Sequence, residues 1–103
     1  MSLSITVNGS SVSLVGEVDE ETSPTLRAEL VALVNTAGPG TELRVALAEV
    51  TLVDSSGLAV LIGAHKLAVA GGVRLVLTGL PRQVARTLEI TGLDQVLDIA
   101  ETP

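Results

Sequence analysis

A chain of 103 residues with 47% hydrophobic side chains can bury a single core and fits one domain, 1–103, near the small end of comfortable stability. Twelve acidic residues against six basic ones give a formal charge of −6, the cations (Arg27, Arg44, Lys66, Arg74, Arg82, Arg86) are scattered, and there is no Phe, Tyr or Trp; this argues against direct nucleic-acid binding, which needs basic patches and stacking platforms. No cysteine is present, so disulfides and thiolate chemistry are excluded and a reducing cytoplasm is expected, and no apolar stretch or basic leader suggests a membrane or secretory route.

Leu3-Ser4-Ile5-Thr6-Val7 alternates apolar and polar residues, as does Val12-Ser13-Leu14, and between them lies the turn dipeptide Asn8-Gly9. The chain is therefore expected to open as an antiparallel hairpin. After Val18 comes the acidic run Asp19-Glu20-Glu21, with Thr22 or Ser23 placed to cap a helix that carries Pro24 in its first turn. Leu26, Leu30, Leu33 and Val34 fall on one face of that helix, and Gly38-Pro39-Gly40 stops it. Leu43 to Val53 reads as a central strand. A second helix opens at Ser55, carries Leu58, Leu61, Ile62, His65 and Val69, and ends at Gly71-Gly72. Val73 to Leu77 is the next strand, Pro81 opens a third helix bearing Val84, Ala85, Leu88 and Ile90, and Gly92 ends it; Val96 to Ile99 is a short last strand. Strand and helix alternate after the hairpin, which requires right-handed parallel crossovers and predicts an α/β fold with a mixed sheet.

The chemistry concentrates at Asp54-Ser55-Ser56-Gly57-Leu58, where a strand turns directly into a helix. The first turn of a helix leaves backbone N–H groups unpaired and carries a partial positive charge, so it favours an anion. One reading makes Ser55 the helix N-cap and Gly57 a small residue that permits tight packing; the other makes the turn a place to hold a phosphate. Asp54 suits either capping or the orientation of a hydroxyl or a metal carried by another protein. The acidic run Glu17 to Glu21 has carboxylates enough for a hard cation, but also suits a solvated helix entrance. A Ser-His-Asp triad is excluded, because the single histidine, His65, lies ten residues beyond Ser55, about 15 Å along the same helix. Val53 stands where a nucleophile elbow needs glycine, and no phosphate-binding loop ending in Lys-Ser/Thr occurs.

Three stretches in this order resemble the STAS family, the domain shared by sulphate transporters and bacterial anti-sigma factor antagonists. They are Gly16-Glu17-Val18-Asp19 followed by Thr22, then Asp54-Ser55-Ser56-Gly57-Leu58, then Thr91-Gly92-Leu93-Asp94. The resemblance covers nearly the whole chain and implies a single STAS-like domain. In free-standing antagonists of this family the hydroxyl residue directly after the Asp is phosphorylated by a partner that is both anti-sigma factor and serine kinase. Carried over, it makes Ser55 the phosphate acceptor, with Ser56 supporting the turn, and Asp19, Thr22, Asp54, Ser56, Gly57 and Leu58 the partner-binding positions. It further implies a non-enzymatic, cofactor-free cytoplasmic protein that binds an anti-sigma factor/serine protein kinase when unphosphorylated, frees a sigma factor, and is reset by a phosphatase. A ligand- or nucleotide-binding scaffold without modification is the alternative. Two departures stand out: Ala46-Leu47 occupies a place where the family often has Asp or Asn before Leu, and the sequence stops at Glu101-Thr102-Pro103, where many members continue into a final helix.

Overall fold

The computed structural model describes residues 2–100. Strands β1 (Leu3–Asn8) and β2 (Ser11–Val18) form the antiparallel hairpin, followed by α1 (Ser23–Thr36), β3 (Glu42–Val53), α2 (Ser55–Ala70), β4 (Arg74–Thr78), α3 (Arg82–Thr91), a 3-10 turn at Leu93–Gln95 and β5 (Asp98–Ala100). The sheet runs in chain order, β1-β2-β3-β4-β5, antiparallel between β1 and β2 and parallel thereafter. Right-handed crossovers that all advance in one direction put every helix on the same side of the sheet. Core composition agrees: Val12, Leu14, Val45, Leu47 and Leu77 of the strands share one buried cluster with Leu26 and Leu30 of α1, Leu61 and Ala68 of α2, and Val84 and Leu88 of α3. The other face is free of helices and presents Ser4, Thr6, Ser11 and Ser13 beside a charged row in which Glu42 pairs with Arg44 and Arg74, and Arg74 reaches Asp98.

Several local details differ from the sequence-based expectation. The hairpin loop is Gly9-Ser10 between the paired residues Asn8 and Ser11, one residue later than Asn8-Gly9 suggests. Gly9 alone takes positive φ, +63°, as a turn with glycine at its first central position requires. Ile90 is 76% exposed and Val69 63% exposed, so neither belongs to the core face of its helix. Ile90 follows buried Leu88 by two residues, about 200° around the helix. The last strand begins at Asp98, not Val96, because Val96 caps the 3-10 turn with helical backbone (φ −97°, ψ −43°) and the Val96 and Leu97 N–H groups both donate back to the Leu93 carbonyl.

The β2–β3 pairing is interrupted by register shifts between Ser13 and Val15 and between Gly16 and Glu17. Gly16 sits at φ +120°, and a Cβ there would collide with the Ser2 carbonyl oxygen; only glycine fits. Beyond this irregularity Val18 and Val53 lie side by side. Both strands therefore end at the same edge of the sheet, which brings the Asp19 loop and the Asp54 turn together.

Candidate functional site

Two segments build the site, and each is held by its own polar side chain. In the loop after β2, Asp19 Oδ1 accepts the backbone N–H groups of Glu21 (3.0 Å) and Thr22 (3.1 Å), the short-range pairing that favours Asp in turns. The Thr22 hydroxyl donates to the Glu17 carbonyl at 2.7 Å and accepts from the Asp19 N–H at 3.0 Å. Thr22 occupies the N-cap position of α1, yet its side chain makes no capping bond. It closes the loop back onto β2 instead. The Ser23 N–H donates to the Asp19 carbonyl at 2.8 Å, and the Ser23 side chain is buried. Asp19 is thus turned inward to its own loop, and the cation reading of the acidic run finds no support in its geometry; among the described residues no group of three or more Asp, Glu or His side chains is arranged to hold a metal ion.

The turn into α2 is capped by Asp54, not by Ser55. Asp54 has extended backbone, and its Oδ1 accepts the Gly57 N–H at 3.1 Å and the Ser56 hydroxyl at 2.6 Å. These bonds favour the ionised form: the Ser56 hydroxyl, then the Gly57 amide, hold the Asp54 carboxyl below the ordinary carboxylate range, against a smaller opposing effect of burial. The Glu20 amide contributes in the same direction, an electrostatic link from the first loop to the second. A second link is the Asp54 N–H, which donates to the Val18 carbonyl at 3.1 Å. Ser55 is the first residue of α2 and is exposed. Ser56 is half-buried and committed to Asp54. Gly57 is buried because α2 meets the strand ends there: a Cβ would stand 2.7 Å from Val18 Cγ1, 2.9 Å from the Val18 carbonyl oxygen and 2.9 Å from Val53 Cγ1. Leu58 is half-buried and packs against the core.

The structure therefore brings Asp19, Thr22, Asp54, Ser55, Ser56 and Gly57 to one edge and turns Leu58 inward. Ala46 sits in mid-strand opposite Ser13 and Thr78. His65 lies ten residues after Ser55 on the unbroken helix α2, about 15 Å along the axis, so its imidazole is out of hydrogen-bond reach of the serine. A groove of about 510 Å³ runs from Ser56 between α1 and α2, bounded by Ser23, Arg27, Gly63 and Leu67. Sequence reasoning missed it, although the small residues Ser56, Ala59 and Gly63 repeat at helical spacing along α2.

Residues 1–99 match the family model described as Mlab, STAS domain. A protein of Bacillus subtilis (strain 168) named anti-sigma-B factor antagonist is 38% identical over 93 residues, which cover 90% of this chain and 83% of that protein. Among solved structures, an anti-sigma factor antagonist from Mycobacterium paratuberculosis shares 27% identity at a TM-score of 0.73, over 98% of this chain and 86% of the other. The Thermotoga maritima protein TM1081 shares the fold at a TM-score of 0.79 with 22% identity, over 97% of this chain and 86% of the other. The strand order, the Asp-capped turn into α2 and these matches lead to one conclusion: the chain belongs to the STAS domain family.

Proposed function

We propose that this chain is an anti-sigma factor antagonist, a single STAS unit that binds an anti-sigma factor/serine kinase when unphosphorylated and releases it once Ser55 carries phosphate. The observation that carries the reading is the division of labour between adjacent serines. Ser56 spends its hydroxyl on Asp54 at 2.6 Å, while Ser55 stands exposed at the first position of a 16-residue helix. A phosphate there adds a charge of about −1.5 to −2 at a helix N-terminus that favours anions, so the fold tolerates it. The same charge lies beside Asp54 and the Asp19-Glu20-Glu21 loop. A partner that fits the unmodified surface then meets repulsion and desolvation, which cost several kcal/mol, and about 3–4 kcal/mol lowers affinity roughly 100- to 1000-fold.

In this reading the partner surface comprises the Asp19–Thr22 loop, the Asp54–Gly57 turn and the exposed side of α2 beyond Leu58. Asp19, Thr22 and Asp54 shape it through main-chain bonds, and Gly57 and Leu58 seat it on the core. The protein is the kinase's substrate, not an enzyme; it needs no cofactor, binds no nucleic acid, works in the cytoplasm and is reset by a phosphatase. No helix among the described residues is long and apolar enough to cross a membrane.

The test is to incubate wild type, Ser55→Ala and Ser56→Ala with the host's anti-sigma kinases and Mg-ATP, follow intact mass, and measure binding of Ser55→Asp. Wild type and Ser56→Ala gain one phosphate, Ser55→Ala gains none, and Ser55→Asp binds at least about 100-fold more weakly. Phosphate on Ser55→Ala, or wild-type affinity in Ser55→Asp, sinks the proposal.

A further inference from the structure

The two edges of the sheet are built differently. At one end, β5 (Asp98–Ala100) opens on a residue whose carboxylate is paired with Arg74 at 3.8 Å; charge on an edge strand is a usual means of blunting it. At the other end, β1 is six residues of Leu-Ser-Ile-Thr-Val-Asn, without charge, proline or bulge. The absence of charge extends further: residues 1–16 contain no Asp, Glu, Lys, Arg or His in a chain of net charge −6.

The phase of the hydrogen bonding along β1 follows from its neighbours. The Arg44 N–H donates to the Ser10 carbonyl and the Glu17 N–H to the Ser2 carbonyl. Ser11, Ser13 and Val15 therefore turn their backbone groups towards β1, where their register partners are Asn8, Thr6 and Ser4. The alternate residues Leu3, Ile5 and Val7 point their N–H and C=O groups away from the sheet. Leu3 and Ile5 pack partly on the core, and Val7 is 42% exposed.

We propose that this edge is the seat of a symmetric dimer, in which the β1 strands of two copies pair antiparallel about a two-fold axis at Ile5. That register sets Ile5 opposite Ile5 and Leu3 opposite Val7, and every outward N–H and C=O of the three residues finds a partner. The apolar side chains of the two copies meet on the helix-covered side. A second copy fits because its own β1 presents the same spacing of donors and acceptors and the same lack of charge, so two copies of a chain of net charge −6 meet here without setting like charges opposite each other. The interface is small, so the dimer is weak and concentration-dependent. Ser55 opens α2 just beyond the end of β3, two strands in from this edge, so the pairing leaves it uncovered.

Sedimentation of the whole chain over a concentration series, with hydrogen exchange of the same samples, tests this. Val7→Pro removes an outward N–H without breaking a β1–β2 bond, since proline is tolerated on an edge where its N–H faced solvent; Val7→Lys is a second variant, charging the edge at an exposed position. Wild type dimerises as concentration rises, and exchange at Leu3, Ile5 and Val7 slows with it. Val7→Pro weakens the dimer roughly thirtyfold, two lost hydrogen bonds of ordinary strength, and Val7→Lys weakens it too while keeping the fold. A wild type that remains monomeric up to about 1 mM, or a dimer that neither Val7 variant weakens, overturns the proposal.

Discussion

Helix α2 contains two glycines whose replacement by alanine should move stability in opposite directions. At Gly63 a Cβ would meet nothing within 4 Å, so Gly63→Ala gains helix propensity and a less flexible unfolded chain, about 0.8–1 kcal/mol. At Gly57 the same methyl stands 2.7 Å from Val18 Cγ1 and 2.9 Å from the Val18 carbonyl oxygen. Side chains can yield, but the carbonyl is fixed, because it accepts the Asp54 N–H at 3.1 Å. Overpacking of this kind costs about 1–3 kcal/mol, and the propensity gain is smaller in a first turn, so Gly57→Ala is expected to destabilise by about 1–2 kcal/mol. The two variants then differ by about 2–3 kcal/mol, or roughly 10–20 °C in Tm for a domain of this size. With no Trp, Tyr or Phe there is no intrinsic fluorescence to follow, so the assay is urea or thermal unfolding by far-UV circular dichroism. Equal shifts in the same direction would refute the claim that the α2 start is wedged against the ends of β2 and β3.

Thr22→Val keeps the side-chain shape but strips the Glu17 carbonyl and the Asp19 N–H of their partners. A loss of about 1–2 kcal/mol is expected from two half-exposed orphans, with Thr22→Ser close to wild type in the same unfolding assay; a neutral Thr22→Val would show that water replaces the hydroxyl at no cost. Asp54→Asn tests the cap electrostatically. The folded Asp54 carboxyl ionises below its unfolded value of about 3.9, because the Ser56 hydroxyl and Gly57 amide favour the anion. Its contribution is therefore present above that pH and is lost as pH falls through the folded value. The gap between wild type and Asp54→Asn should be level near neutrality and close in acid, as read from unfolding midpoints across pH 2–7. A gap that widens in acid would reverse the assignment.

Most of the architecture was legible because it rests on short-range signals. Alternation in Leu3 to Val7 and the periodic leucines Leu26 and Leu30 are local patterns, and both elements form where those patterns place them. The meeting of the Asp19 loop with the Asp54 turn rests on the parallel pairing of Val18 with Val53, which ends both strands at one edge of the sheet. What escaped depends on contacts between distant segments or on a shift of a single residue. That Thr22 binds Glu17 and leaves its helix uncapped is decided by how the loop folds back on β2. That Asp54 caps α2, leaving Ser55 exposed, turns on one position in a run of four polar or small residues, each able to cap. Ile90 and Val69 mislead because an apolar residue one or two positions off the stripe reads as core until the helix is docked. The groove between α1 and α2 belongs to neither helix alone, so no window of sequence contains it.

Because spatial order in the sheet equals chain order, no strand has to be inserted between two others already paired. As the chain leaves the ribosome from its N-terminus, the β1–β2 hairpin can close with local contacts only. Each later strand, after one helix, then adds to an edge that already exists. Loop-closure entropy is met in instalments of one crossover at a time rather than in a single long-range search. Assembly in this order completes the pocket-bearing layer, α1 against α2, only after β3 has brought Asp54 beside Val18. Ser55 thus gains its helix only after the β1-β2-β3 platform beneath it can form.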